Sequence, residues 1–342
     1  MPTTIDRKQL AEVLKVAAPV AARSRHLPIL SCVRFTLWGE TVEAQASDGD
    51  LSVTTYGGTG GTMTAPDMLS IVNARLLAHF VANAHDDITF EEVDGRLQVT
   101  SGGSTLTLRT MRPDDWPTIK GAVDNMVQLP AGIGTILYAA SKDNARPILT
   151  GVGFKDGWAC CTDSYRLAAI RIDGMPDCLV PAHVIELALK QGPDVTMTVS
   201  DNLVSLTVGA TIYNSRLIFG EFPTWQRLCD QPGSNVLEVD RDDLLDALER
   251  VSPLVHMMQP VMFTDGVTLS AKTVDVGEAT EQLAGIYDLD TPLGLNPSFL
   301  ADMAKAAPAG PFRLQLNGII KPAVHGSLES GAISLLMPVR VS

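Results

Sequence analysis

The chain repeats itself. Pro28 opens the stretch PILSCVRF and Pro147 opens PILTGVGF, which match at Pro, Ile, Leu, a hydroxylated residue, Val and Phe. Pro260 opens a shorter echo, PVMF. The three prolines are evenly spread, so three such units nearly fill the 342 residues. A period of this length is the size of a domain and far longer than a solenoid repeat. The expected organisation is three copies of one domain, at 1–121, 122–235 and 236–342.

Other landmarks keep the same order within each unit. An amphipathic helix is expected before each proline: RKQLAEVLKVAA, with Leu10, Val13, Leu14 and Ala17 on one face, then IGTILYAASK, then RDDLLDALERV, with Asp240 as N-cap. A second helix follows each time, in NARLLAHFVANA, PAHVIELALKQ and NPSFLADMAKAA. Alternating strands come next, such as DITFEE, VTMTVS and FRLQLN. Alternation suits antiparallel sheets with one covered face. The predicted class is α+β, two helices packed on antiparallel sheets in each unit.

Composition excludes several functions. No apolar run is long enough to span a bilayer, and the N-terminus lacks a signal peptide's basic start and apolar centre. A cytoplasmic protein is expected. The five cysteines form no CxxC, and the six histidines lack ligand spacing, so neither a metal site nor a cofactor is expected. Adjacent Cys160 and Cys161 would point to opposite faces of a strand. The Gly-rich YGGTGGT at 56–62 lacks the lysine of a phosphate-binding loop and reads as a loop between strands. A net charge of −13 argues against nucleic-acid binding unless the basic residues are gathered on one surface.

One polar run stands out, CTDSYRLAAI at 161–170. Ser164 or Cys161 could serve as a nucleophile beside Asp163, but no histidine or lysine base is evident. The run also matches SDGDL at 47–51 in the first unit. A feature present twice at one place in a repeated domain points to architecture. Asp48 and Asp163 are then turn residues, fixed by side-chain to backbone bonds. No enzyme is expected.

Taken together, LPIL in the first unit, TDSYRLA in the second, GEFPTWQRL at its end and the C-terminal MPVRV resemble the bacterial DNA polymerase III beta subunit family of sliding clamps. The resemblance covers essentially the whole chain, in order. It implies a ring of two subunits head to tail, six domains around duplex DNA, with DNA polymerase, the clamp loader and repair proteins as partners docking through short linear peptides. The alternative left open is a clamp-like scaffold that binds peptides without encircling DNA, which the acidic helix RDDLLDALER motivates.

The resemblance also implies site residues. A peptide pocket would be built from Leu149, Thr162, Ser164, Tyr165, Arg166 and Leu167, then Pro223, Arg227 and Leu228. The third unit would add Met258, Asn296, Phe299, Ile320 and Pro322. The tail would contribute Leu335, Leu336, Met337, Pro338, Val339 and Arg340. Along the apolar ISLLMPV, alternate residues can be core while the others line the pocket. Arg23, Arg25, Lys142 and Arg146 are the expected DNA-facing cations. Leu106 and Leu108 of TLTLRTM are the expected dimer contacts, against a partner segment guessed at 252–256. The family pattern is departed from at Ser164-Tyr165, where Gly-His is usual, at Phe299 for a common Tyr, and at the Val341-Ser342 end.

Overall fold

The structure, a computed structural model, describes residues 2–22, 27–60, 67–117, 120–124, 126–229, 233–254, 260–273 and 275–340. The expected DNA-facing Arg23 and Arg25, the pocket residue Met258, and part of the guessed segment 252–256 lie outside these residues.

The first repeat begins with β1 (Thr3–Ile5) and α1 (Arg7–Ala17). Asp6 caps α1 by accepting from the Gln9 amide, and Leu10, Val13, Leu14 and Ala17 are its buried face, as the spacing predicts. Three antiparallel strands follow, β2 (Cys32–Trp38), β3 (Thr41–Ser47) and β4 (Leu51–Gly58). Then come β5 (Met68–Asn73), α2 (Ala74–Asn83), β6 (Ile88–Val93), β7 (Arg96–Ser101) and β8 (Ser104–Arg109).

The second repeat runs through β9 (Met126–Gln128), β10 (Gly151–Lys155), β11 (Trp158–Thr162), β12 (Arg166–Arg171), β13 (Cys178–Pro181), α3 (Ala182–Leu189), β14 (Thr196–Ser200), β15 (Leu203–Val208) and β16 (Thr211–Arg216). The third holds β17 (Asn235–Asp240), α4 (Arg241–Val251), β18 (Val261–Thr264), β19 (Thr268–Thr273), β20 (Gly277–Gln282), β21 (Gly285–Tyr287) and β22 (Leu293–Leu295). It closes with α5 (Pro297–Ala306), β23 (Pro311–Leu316), β24 (Ala323–Ser327) and β25 (Ala332–Leu336).

The repeat is visible in detail. Pro28–Ser31 and Pro147–Thr150 form the same 3-10 turn. In each the last hydroxyl donates back to the proline carbonyl, at 2.6 Å from Ser31 and 2.7 Å from Thr150. Two expectations are corrected. The segment IGTILYAASK is not an α-helix: Ala131–Ala139 is a 3-10 run. Gly132 and Gly134 weaken the α-helix there, and no side chain caps its start. The glycine-rich stretch is strand rather than loop over Tyr56–Gly58. A Cβ on Gly57 would lie 2.8 Å from Val13 Cγ1, so glycine lets α1 pack onto β4.

Two compact units result, one of 1–129 with 183–217, the other of 130–182 with 218–342. In the first, a four-stranded sheet runs β1-β6-β7-β8 and an eight-stranded sheet runs β5-β2-β3-β4-β16-β15-β14-β9. In the second, a nine-stranded sheet runs β13-β10-β11-β12-β25-β24-β23-β17-β21 and a four-stranded sheet runs β20-β19-β18-β22. All the strand pairs are antiparallel, and each long sheet joins strands from two repeats, β4 to β16 and β12 to β25. Among the described residues no helix is long and apolar enough to cross a membrane.

Candidate functional site

The nine-stranded sheet has two differently used faces around the β12–β25 join. Arg166 pairs with Leu336 and Leu167 with Leu335 across it. Period-two alternation puts Leu167, Ala169, Ile333, Leu335 and Cys160 in one cluster with Trp225 and Cys229. Leu336 goes the other way, fully buried in the core of the third repeat with Leu300 and Met303 of α5. The adjacent cysteines divide as expected. Cys160 joins the first cluster, while Cys161 lies near Tyr138, which packs against the core of the third repeat.

On the first face lies a cavity of about 240 Å³. Buried Leu149, Leu167, Trp225 and Leu335 line it. Its rim carries large exposed side chains, Tyr165 at 62%, Leu228 at 56% and Met337 at 37% exposure. Thr162, Ser164, Arg166, Pro223, Thr224 and Pro322 complete the lining. Trp225 and Thr224 of GEFPTWQRL line the cavity as well, beyond the Pro223 and Leu228 expected from that motif. Trp225 meets Trp158 edge to face, with ring centroids 5.5 Å apart. Burying such a pair stabilises the floor by about 0.5–1.5 kcal/mol beyond its area.

The turn between β11 and β12 presents the polar wall. Asp163 Oδ1 accepts from the Tyr165 amide at 2.9 Å and the Arg166 amide at 3.0 Å. Thr162 Oγ1 donates to the Arg166 carbonyl at 2.7 Å and accepts from the Ser164 amide at 3.2 Å. Ser164 holds a left-handed φ of 81°, a conformation that favours glycine. Its hydroxyl accepts from Arg146 Nη1 at 3.0 Å, and Arg146 Nε lies 3.6 Å from Asp143. The Met337 amide donates to the Tyr165 carbonyl at 2.8 Å, which straps the tail to the turn.

Several expected pocket residues lie elsewhere. Asn296 caps α5 by accepting from the Phe299 amide at 3.1 Å. Phe299 packs against the core of the third repeat, its ring 4.2 Å from the Arg166 guanidinium. Leu336 is core, for the alternation given above. Arg227 and Ile320 are exposed and, like Pro338, Val339 and Arg340, are not among the lining residues. Val339 instead donates its amide to the Gly294 carbonyl at 2.9 Å. Lys142 is exposed. Leu108 is buried in its own sheet, whereas Leu106 is half-buried.

The model of the DNA polymerase III beta subunit N-terminal domain matches residues 1–120, and that of its central domain matches 125–224. The chain belongs to the DNA polymerase III beta subunit family. Its curated relatives include the beta sliding clamp of Caulobacter vibrioides, 26% identical with 100% of each chain covered. The beta sliding clamp homolog GriR of Streptomyces muensis is 28% identical over 98% of each. Among solved structures, the DnaN sliding clamp of Bartonella birtlesii bound to griselimycin superposes with a TM-score of 0.85, at 26% identity over 100% of both chains. The beta sliding clamp of C. crescentus gives a TM-score of 0.86 at 24% identity, a likeness of fold.

Proposed function

We propose that the chain is a non-catalytic sliding clamp of three domains, 1–121, 122–235 and 236–342. It encircles duplex DNA as a homodimer and holds DNA polymerase, the clamp loader and repair proteins through short peptides seated over Leu149. The observation that carries this reading is the cavity itself: an apolar floor ringed by exposed Tyr165, Leu228 and Met337, within a polar wall. A peptide seating two or three apolar anchors gains about 1.5–3 kcal/mol from each. Lost translational freedom and peptide ordering offset several kcal/mol, which leaves affinity on the order of micromolar. Partners held this way exchange, as a shared tether requires.

The sheet joins support head-to-tail closure. Within the chain, the end strand of one repeat's first set pairs with the end strand of the next repeat's second set, β4 with β16 and β12 with β25. Continuing the pattern pairs β20 with β8 of another copy. Each of these strands has one neighbour among the described residues, β19 and β7 respectively, and so offers an open edge. Leu106, Thr107 and Arg109 of β8 would then meet β20, and Leu108 would stabilise the edge from within. Exposed Lys142 is the DNA-facing cation of the second domain in this reading, whereas Arg146, expected beside it, donates to Ser164 of the pocket wall. Hydrolysis is disfavoured at Ser164, because its hydroxyl accepts from a guanidinium, which cannot act as a base.

The test is peptide binding. A fluorescent peptide from a DNA polymerase partner binds with micromolar Kd by anisotropy, and Leu149→Asp weakens it at least about a hundredfold by burying a charge in the floor. Equal affinity for both proteins would contradict the assignment.

A further inference from the structure

The pocket's turn occurs twice in the molecule. In the first repeat Asp48 Oδ1 accepts from the amides of Asp50 at 3.0 Å and Leu51 at 2.8 Å. Ser47 Oγ donates to the Leu51 carbonyl at 2.9 Å and accepts from the Gly49 amide at 3.1 Å. These are the bonds of Thr162, Asp163, Ser164, Tyr165 and Arg166, position for position. The last residue differs: Leu51 is buried in the first copy, and Arg166 is buried in the second. The turn therefore forms without an arginine.

The buried guanidinium is held by two carboxylates. Its Nε meets Asp163 Oδ2 at 2.9 Å and its Nη1 meets Asp302 Oδ2 of α5 at 2.6 Å. The rings of Tyr138 and Phe299 lie 5.4 and 4.2 Å from its central carbon. Replacing a buried ion pair by packed apolar residues is commonly neutral or stabilising, so stability alone does not call for this one. What the arginine adds over leucine is a fixed geometry between the turn and α5. Ser164 and Tyr165 of that turn line the cavity, whereas Asp302 does not.

We infer that Asp302 is a positioning residue of the peptide pocket: through Arg166 it sets where Ser164 and Tyr165 stand. The inference rests on the peptide-pocket reading above. It also means that the charge of Arg166, although the residue borders the cavity, is committed to the two carboxylates and is not offered to a peptide.

The experiment compares Arg166→Leu, which installs the first repeat's residue, with Asp302→Ala and Asp302→Glu. Peptide Kd is read by anisotropy, and the amide resonances of Ser164 and Tyr165 are followed in the free protein. Arg166→Leu and Asp302→Ala should each weaken binding about tenfold and shift both amides, as loss of a charge-assisted bond implies. Asp302→Glu, which keeps the carboxylate, should restore most of the affinity and the parent resonances. Unchanged Kd in Asp302→Ala, while Leu149→Asp abolishes binding, would overturn the inference and leave the pocket standing. So would a loss in Asp302→Ala that tracks a fall in Tm and is not rescued by Asp302→Glu. Should Leu149→Asp bind as the parent does, the pocket reading falls and this inference falls with it.

Discussion

Tyr138, packed against the core of the third repeat, links stability to pH. Its phenol donates to Ser334 Oγ at 3.1 Å, and burial pushes its pKa up to about 12 from an ordinary 10, with the Ser334 bond and the Arg166 charge pulling the other way. The fold favours the neutral phenol, so this contribution is complete below pH 10 and is lost as pH rises towards about 12. The urea midpoint should fall across that window, and Tyr138→Phe should flatten the fall. A profile unchanged by the substitution would show that Tyr138 does not drive it. At this scale the sequence carried Asp163 well, because a turn that recurs at one place in a repeat is architecture. The partner of Arg166 was hidden, since Asp302 lies 136 residues away and nothing local marks it. Trp225 was legible as part of a motif but not as floor, because its place depends on Trp158 and on the far strand β25.

Among elements, β25 shows how a strand serves two ends. Its alternation sends Leu335 into the pocket and Leu336 into the core of the third repeat. Leu336→Ala should cost about 2–5 kcal/mol of stability and leave peptide affinity close to the parent. Met337→Ala, beyond the strand and more than a third exposed, should do the reverse. Chemical denaturation and anisotropy on the same two proteins check both halves, and a shared pattern of loss would contradict the division. Helices with caps and period were legible in advance, as Asp240 on α4 and the buried face Leu10, Val13, Leu14 and Ala17 of α1 show. The run at 131–139 was not, since its apolar residues fit helical spacing whether the backbone winds as α or 3-10. Gly57 misled for a related reason: the approach of α1 that requires it is tertiary.

At the scale of the whole molecule, the repeat does the most explaining. It accounts for the two joined sheets, the duplicated turn and the matching edges at β8 and β20. It also bears on the charge of −13, which looks hostile to DNA. Exposed Asp242, Asp243, Asp246 and Glu249 on α4 add to that, and a clamp built this way would hold DNA loosely through its third domain. Retention by encirclement does not need tight contact; it needs a closed ring and a DNA without ends. The direct measurement is therefore retention of the loaded protein on a nicked circular plasmid, followed by cutting the plasmid once. A closed ring stays on the circle through gel filtration in salt that screens phosphate contacts and leaves when the circle is cut. Loss from the circle as fast as from linear DNA, or retention unaffected by the cut, would contradict it.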